Sequence, residues 1–517
     1  MKKILFLFFF ASLYLNAQTP CVGGFAGTYP CDGIDLQSYL SFAEMGGAST
    51  GNDSWGWTDP NTNKEYALIG LNNGTAFIDI SDPVNPVYLG KLPPHGNNST
   101  WRDVKTYNNY AFVVSEASGH GMQVFDLTQL ENVVSPPVTF SEDAHYDGFG
   151  NAHNIVINET TGFAYAVGTS TYSGGPHFVN IQDPLNPAAA GGYVVDAYSH
   201  DAQVVSYNGP DSDYVGQEIL IGSNESKISI VDVTNKSNPI PIATLSYTNF
   251  NYTHQGWFTE DQRYFLVGDE LDEQSVGFNT RTLVFDLSDL DAPQLHLEYS
   301  GPTLAIDHNG YVRGNRFYLS NYRAGIRILK IDGIYNPSPS MTEVNYFDTY
   351  PSSNSASFSG VWNVYPYLES GNLIISDYSS GFFLVKDPLY DNEDPIAICQ
   401  AYTATLNAIT GTVTINASDI DGGSTDNFGV VSSIIEGQTT FTCDDVGNTF
   451  NVTLTVEDDY GNKSSCVAVV TVQALTSTFA SGSWDVIPNL GSKALFSDNY
   501  DTDNFGDVTA CSCEVET

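Results

Sequence analysis

A short apolar strand that ends on an acidic residue and turns at an Asx-Pro corner recurs along this chain. That recurrence limits the fold more than any other feature. The clearest copy is TAFIDISDPVNPVYLG, from Thr75 to Gly90. Pro83 and Pro86 cannot continue a ladder, so the strand stops before them. Asp82 and Asn85 favour entry into the turn. Further copies begin at Met122, His177, Ile228, Thr282, Ile326 and Phe382. Aligned on Asp79 they fall at Asp126, Asn180, Asp232, Asp286, Lys330 and Leu384, with gaps of 47, 54, 52, 54, 44 and 54 residues. A period near 50 residues built from short strands predicts a β-propeller.

The residues that open each repeat, before its first strand, provide a second count. They are Trp55, Trp101, His153, His200, His254, His308 and Trp362, spaced by 46, 52, 47, 54, 54 and 54 residues. Both counts give seven. The reading is all-β: a seven-bladed propeller over residues 51–390, preceded by a lead-in at 18–50. The Asp82-Pro83 and Asp183-Pro184 steps belong at equivalent corners between third and fourth strands. The repeat Asp should accept turn N–H groups there. No stretch reads as a convincing amphipathic helix.

Residues 1–17 have the pattern of a secretory signal peptide: Lys2 and Lys3, then an apolar core from Ile4 to Leu15, then Ala17. Export fits seven cysteines that all lie outside the repeats and suggest local disulfides. Cys21 and Cys31 are placed to close a small loop. A formal net charge of −42 repels nucleic acid and anionic lipid. It suits cation binding, or plain solubility outside the cell. No later stretch is long and apolar enough to cross a membrane.

Past Pro388 the composition changes. Residues 391–473, with GTVTINASDIDGGSTDNFGVV and NTFNVTLTVEDDYGNKSSCVAVVTVQ, read as a small antiparallel immunoglobulin-like sandwich. Residues 474–517 read as a tail rich in Gly, Ser and Asp.

Chemistry is concentrated at the blade openings. In a propeller each blade starts at its innermost strand, and the loop joining the second and third strands returns to the same face. His153, His200, His254 and His308 should therefore stand at one height around the channel. Asp269 and Glu270 end the second strand beside His254. Imidazoles and carboxylates converging on one point suit a divalent metal such as zinc or calcium, and also acid–base chemistry. The other reading is packing, because a position shared by every repeat often has a structural duty, and Trp55, Trp101 and Trp362 share it. Arg102, Glu116, Arg323 and Asp377 stand nearby as candidate ligand-binding groups. The run Asp269 to Glu273, and the group Asp419, Asp421, Asp426 and Asn427 with Asp458 and Asp459 elsewhere, are acidic clusters without EF-hand spacing. No GxSxG elbow, no HExxH string and no phosphate-binding glycine loop is expected.

The strings AHNIVIN, SHDAQVV, THQGWFTEDQRYFLVGDELDE, DHNGYVRGN and NYRAGIRIL, with the repeated IVD-then-Pro corner, resemble the choice-of-anchor B family of LVIVD-repeat propellers. The resemblance runs from about Asp32 to Pro388. It implies an exported bacterial propeller with variable C-terminal attachments and no defined reaction. The sandwich resembles hyalin-repeat modules of bacterial surface proteins. These often carry a cysteine where Phe428 stands here. Cys399 and Cys466 can pair between strands, and Cys443 then has no obvious partner. Together these readings give a secreted or cell-surface protein that binds a protein or glycan partner through its top face, with a divalent metal as a candidate cofactor. The alternative is a metal-dependent hydrolase or lyase using the same cluster.

Overall fold

In the computed structural model residues 18–516 are described, and the signal-peptide pattern at 1–17 lies outside them. The chain divides into two compact units, Met1–Tyr390 and Asp391–Thr517.

The first unit contains seven sheets built on the same four-stranded plan. Their innermost strands are Gly51–Thr58, Arg102–Tyr107, Asn154–Asn158, Asp201–Ser206, Thr253–Phe258, Gly310–Arg313 and Val361–Tyr365. Each innermost strand touches the next, and the last touches the first, so the ring closes. Seven apolar clusters fill the seven interfaces between sheets. Ile219 and Ile221 face the fifth blade, for example, while Leu220 between them faces the third. Because side chains alternate across a strand, a blade covered on both faces must be apolar at consecutive positions. This is why the strands read as unbroken apolar runs.

The acidic residue that ends the third strand does local work. The carboxylates of Asp79, Asp126, Asp232 and Asp286, and the side-chain amide oxygen of Asn180, each accept the backbone N–H two residues on. Asp82 and Asp183 start matching turns between third and fourth strands. In the last blade that strand runs Gly381–Lys386 and Lys386 pairs with Asn372. The equivalent of Asp79 is thus Lys386, two residues beyond Leu384.

The lead-in belongs to the ring. Asp35–Ser41 pairs antiparallel with Gly381–Lys386 and supplies the fourth strand of the last blade. Tyr29–Asp32 extends the sixth blade by pairing with Thr342–Phe347. Cys21 and Cys31 are bonded. The ring is therefore latched by the joining of segments more than 300 residues apart, which leaves the last blade no open edge there.

The second unit contains a four-stranded sheet in the order Tyr402–Thr405, Lys463–Gln473, Thr449–Asp458, Val430–Glu436. A two-stranded sheet, Val413–Thr414 with Thr440–Phe441, shares its core through Ile415 and Phe441. Cys399 is bonded to Cys466, and Cys443 to Cys511. The segment read as a tail is ordered: Leu475–Ala480, Ser483–Trp484, Ser492–Phe496 and Ser512–Val515 form another sheet. Its composition hid it because its strands are short and only Phe479, Ala494, Ser477 and Ser492 are fully buried. No helix among the described residues is long and apolar enough to cross a membrane.

Candidate functional site

The four histidines form an arc at one end of the channel. Ring centroids lie 4.0 Å apart for His153 and His200, 4.5 Å for His200 and His254, and 4.3 Å for His254 and His308. Trp362 continues the series 4.7 Å from His308. All four imidazoles are buried.

The members of the arc have different partners. His153 Nδ1 meets Glu116 Oε1 at 2.6 Å. His200 Nδ1 meets the Tyr252 hydroxyl at 2.9 Å, and its Nε2 is buried without a partner. His308 Nδ1–H donates to the Trp362 carbonyl at 2.6 Å. That bond fixes the tautomer and leaves the Nε2 lone pair facing inward. His308 Nε2 is 3.6 Å from Glu270 Oε1, and His254 Nε2 is 3.8 Å from Glu270 Oε2. Tyr322 OH donates to Glu270 Oε1 at 3.1 Å. One ligand atom each from His254, Glu270 and His308 falls within 4.8 Å of the others.

Burial sets the protonation of this group. It holds His254 and His200 well below the usual imidazole range, helped by neighbouring histidines. It holds His308 at about 3 and pushes Glu270 up to about 7. His200, His254 and His308 are thus neutral, with lone pairs available. Two neutral imidazoles and a carboxylate, spaced too widely to bond each other directly, form a three-atom cradle for a borderline divalent ion.

The other candidates lie elsewhere. Asp269 is not part of the cradle. Its oxygens accept from the Tyr247 hydroxyl at 2.8 Å and from the N–H groups of Asn251 and Tyr252 at 2.8 and 2.7 Å, which holds the preceding loop. Asp269 is the last residue of the strand Tyr264–Asp269 and is taken up by these bonds, while Glu270, the first residue of the turn that follows, is the one that reaches the arc. Arg102 is buried and donates to the Leu71 carbonyl at 3.1 Å and to His120 Nε2 at 2.9 Å. Arg323 donates to Ser355 and lies over the Tyr350 ring. Asp377 accepts from Thr349 and from the N–H groups of Ser379 and Ser380. Of the four candidate ligand-binding groups, only Glu116 touches the arc. Replacing Arg102 with alanine should destabilise the ring by on the order of 3 kcal/mol, since a buried charged donor leaves two acceptors behind. Metal uptake should not change. Chemical denaturation and a metal assay on the same sample check both points.

The first blade also departs from expectation. A bulge between Gly51 and Ser54 matches the one between Thr253 and Gly256 that carries His254 and Gln255. Asn52 and Asp53 therefore stand at the position assigned to Trp55. Trp55 lies three residues along, lining a cavity of about 270 Å³ with Trp257, Lys105, Gln203 and Tyr367. Asp53 accepts from Asn309 Nδ2 at 2.9 Å and from Trp362 Nε1 at 3.2 Å. Burial and nearby Asp103 raise its carboxyl well above the carboxylate range. Sequence reasoning missed this layer because a bulge leaves no mark in the apolar pattern. It also missed Tyr252 and Tyr322, which lie among many tyrosines with nothing to set them apart. Gly47 to Gly51 has the GxSxG spacing of a nucleophile elbow, but it leads into the strand Gly51–Thr58 rather than from a strand into a helix.

No protein-family model matches the sequence, and no curated protein matches it. Solved structures to which this chain is similar include three at low identity. Kuenenia stuttgartiensis hydrazine synthase has a TM-score of 0.44 at 11% identity, over 63% of this chain and 93% of that one. A Lactobacillus plantarum protein has a TM-score of 0.42 at 11% identity, over 82% and 96%. The Cps50 (Swd1) β-propeller domain of Myceliophteria thermophila has a TM-score of 0.42 at 10% identity, over 66% and 97%. On its own geometry, seven sheets in a closed ring, the first unit is a β-propeller.

Proposed function

We propose that this chain is an exported β-propeller binding protein that holds a divalent metal at its channel mouth through His254, His308 and Glu270, and engages an anionic group of a protein or glycan there. The observation that carries the reading is the fixed tautomer of His308. Its Nε2 lone pair faces the Glu270 carboxyl across 3.6 Å, with the Glu270–His254 gap of 3.8 Å beside it. In metal-free protein the proton held by the raised Glu270 carboxyl offsets the repulsion between these atoms, and a divalent cation can take that proton's place. Such an ion, with three protein ligands, would keep a position open for a ligand oxygen. Glu116 is about one-third exposed at the side chain and marks the side from which solvent reaches the arc. Three disulfides support a location outside the reducing cytosol.

The hydrolase or lyase reading has one observation in its favour. The His153–Glu116 couple stands one ring beyond His200 and has the form of an acid–base pair. Metal analysis of the purified full chain, before and after chelation, tests the binding function. About one zinc-class ion per chain, lost on chelation and restored by titration, is expected. A chain that takes up no ion at the mouth would leave the arc as packing and remove both readings. Turnover of ester or glycoside probes that depends on both the metal and Glu116 would favour the enzyme over the binding protein.

A further inference from the structure

We propose a second, independent cation site in the second unit: a calcium site formed by Asp391, Asp426 and Asp458. These residues come from three separate stretches. Asp391 opens the unit, Asp426 lies in the loop before Val430–Glu436, and Asp458 ends Thr449–Asp458 at a hairpin tip. One carboxylate oxygen from each lies within 4.8 Å of the others. Oxygens on opposite sides of a calcium ion are separated by about the same distance, ~4.8 Å.

Each carboxylate is aimed by its own loop. Asp391 Oδ1 accepts from the Glu393 N–H at 3.0 Å and from Asn427 Nδ2 at 3.1 Å. Asp426 Oδ2 accepts from the N–H groups of Phe428 and Gly429 at 2.7 and 2.9 Å. Asp458 Oδ1 accepts from the N–H groups of Tyr460 and Asn462 at 2.8 and 2.9 Å. Asn462 Nδ2 reaches both Asp458 Oδ2, at 2.7 Å, and the Asp391 carbonyl, at 3.2 Å. After these bonds Asp391 Oδ2 and Asp426 Oδ1 remain buried with no partner. Asp391 is 4% exposed and Asp458 1%. Buried carboxylate oxygens without a donor are costly, and they gather here at one point.

Among the described residues of the second unit no cation is directed at this point. Residues 391–517 contain no arginine and two lysines, Lys463 and Lys493. Lys463 pairs with Glu457 and Lys493 with Glu514. All nine histidines precede residue 309, so the donors are oxygens only. Hard oxygen donors select calcium or magnesium over zinc. Calcium is the better fit because it accepts irregular shells of carboxylates and carbonyls, whereas magnesium dehydrates reluctantly. The bound ion would tie the first residue of the unit to the hairpin tip. A solvated acidic turn, the ordinary reading of such sequences, would leave these oxygens exposed to water, and here they are not.

Equilibrium dialysis of the chelator-treated full chain against radioactive calcium tests the site. One ion per chain is expected, with a Kd on the order of 10⁻⁴ M, as in extracellular modules. Asp426→Asn and Asp458→Asn should each weaken binding at least tenfold, on the order of one lost charged ligand. Asp394→Asn, an acidic neighbour outside the cluster, should bind as the parent does. So should the His254→Ala/His308→Ala double variant, which separates this site from the one at the channel mouth. Peptide mapping of the Cys399–Cys466 and Cys443–Cys511 bonds shows that each variant has folded. No calcium bound up to about 10 mM, or unchanged binding in folded Asp426→Asn, would overturn the proposal. Calcium lost with the histidines alone would place the ion in the ring instead and overturn it equally.

Discussion

Replacing His254 and His308 together with alanine is expected to weaken zinc-class metal binding by at least about a hundredfold, the loss typical of damage even to residues that only support metal ligands. The two imidazoles provide two of the three atoms in the cradle. Neither is charged at neutral pH, because burial disfavours the imidazolium. Their loss therefore removes lone pairs, not charge. His200→Ala is the informative control. His200 sits between His153 and His254 in the arc, yet its Nδ1 is engaged by Tyr252 and it contributes no atom to the cradle. Its removal should change affinity by less than about tenfold, below the hundredfold expected of a ligand. Competition with a chromophoric chelator at pH 7.5 reads both numbers. Equal losses for His200→Ala and for the double variant would mean that the arc, not the His254–His308–Glu270 group, holds the ion.

Glu270→Gln should change how ring stability depends on pH, and in opposite directions with and without metal. In metal-free protein burial raises the Glu270 carboxyl from its ordinary 4.5 to about 7. The folded state then binds a proton that the unfolded chain releases. The stability this carboxyl contributes is fully present below about pH 4.5 and is lost as pH rises through about 7. The full loss is about 3 kcal/mol. Glutamine has no such titration. In chelator the variant should equal the parent near pH 4 and exceed it by about 3 kcal/mol at pH 8. With a saturating divalent ion the order should invert, because only the carboxylate ligates. Urea melts of the ring at pH 4, 6 and 8 check the sign. A parent that is more stable than the variant at pH 8 in chelator would show that Glu270 is ionised and paired by something other than a metal.

The ring was legible in the sequence because its blades are covered on both faces. That makes each strand a run of apolar residues, and the carboxylate or amide at its end a turn acceptor, as at Asp79, Asn180 and Asp232. The latch was not legible. Asp35–Ser41 pairs with Gly381–Lys386 across the whole length of the ring, and nothing in a local pattern announces so distant a partner. Registers failed where strands bulge. Trp55 was aligned with the histidines, but a bulge puts Asn52 and Asp53 there. At the site, the shared spacing placed His254 and His308 in one register, and their ring centroids lie 4.3 Å apart. It could not separate Asp269 from Glu270, because the strand ends at Asp269 and the turn that begins at Glu270 sets where each side chain points. Nor could spacing reveal that the Nδ1 atoms of His153 and His200 are engaged by Glu116 and Tyr252. Cys443 lacked an evident partner for a similar reason: Cys511 lies in a segment whose composition gave no sign of a sheet.

Crystals of the full chain grown with zinc, with diffraction recorded on both sides of the zinc absorption edge, test the claim about the channel mouth most directly. The account predicts one anomalous peak inside the ring, about 2.0–2.1 Å from His254 Nε2 and from His308 Nε2 and about 2.0–2.2 Å from a Glu270 oxygen. A zinc-saturated crystal with no peak there, and with Glu270 hydrogen-bonded directly to either imidazole, would contradict it.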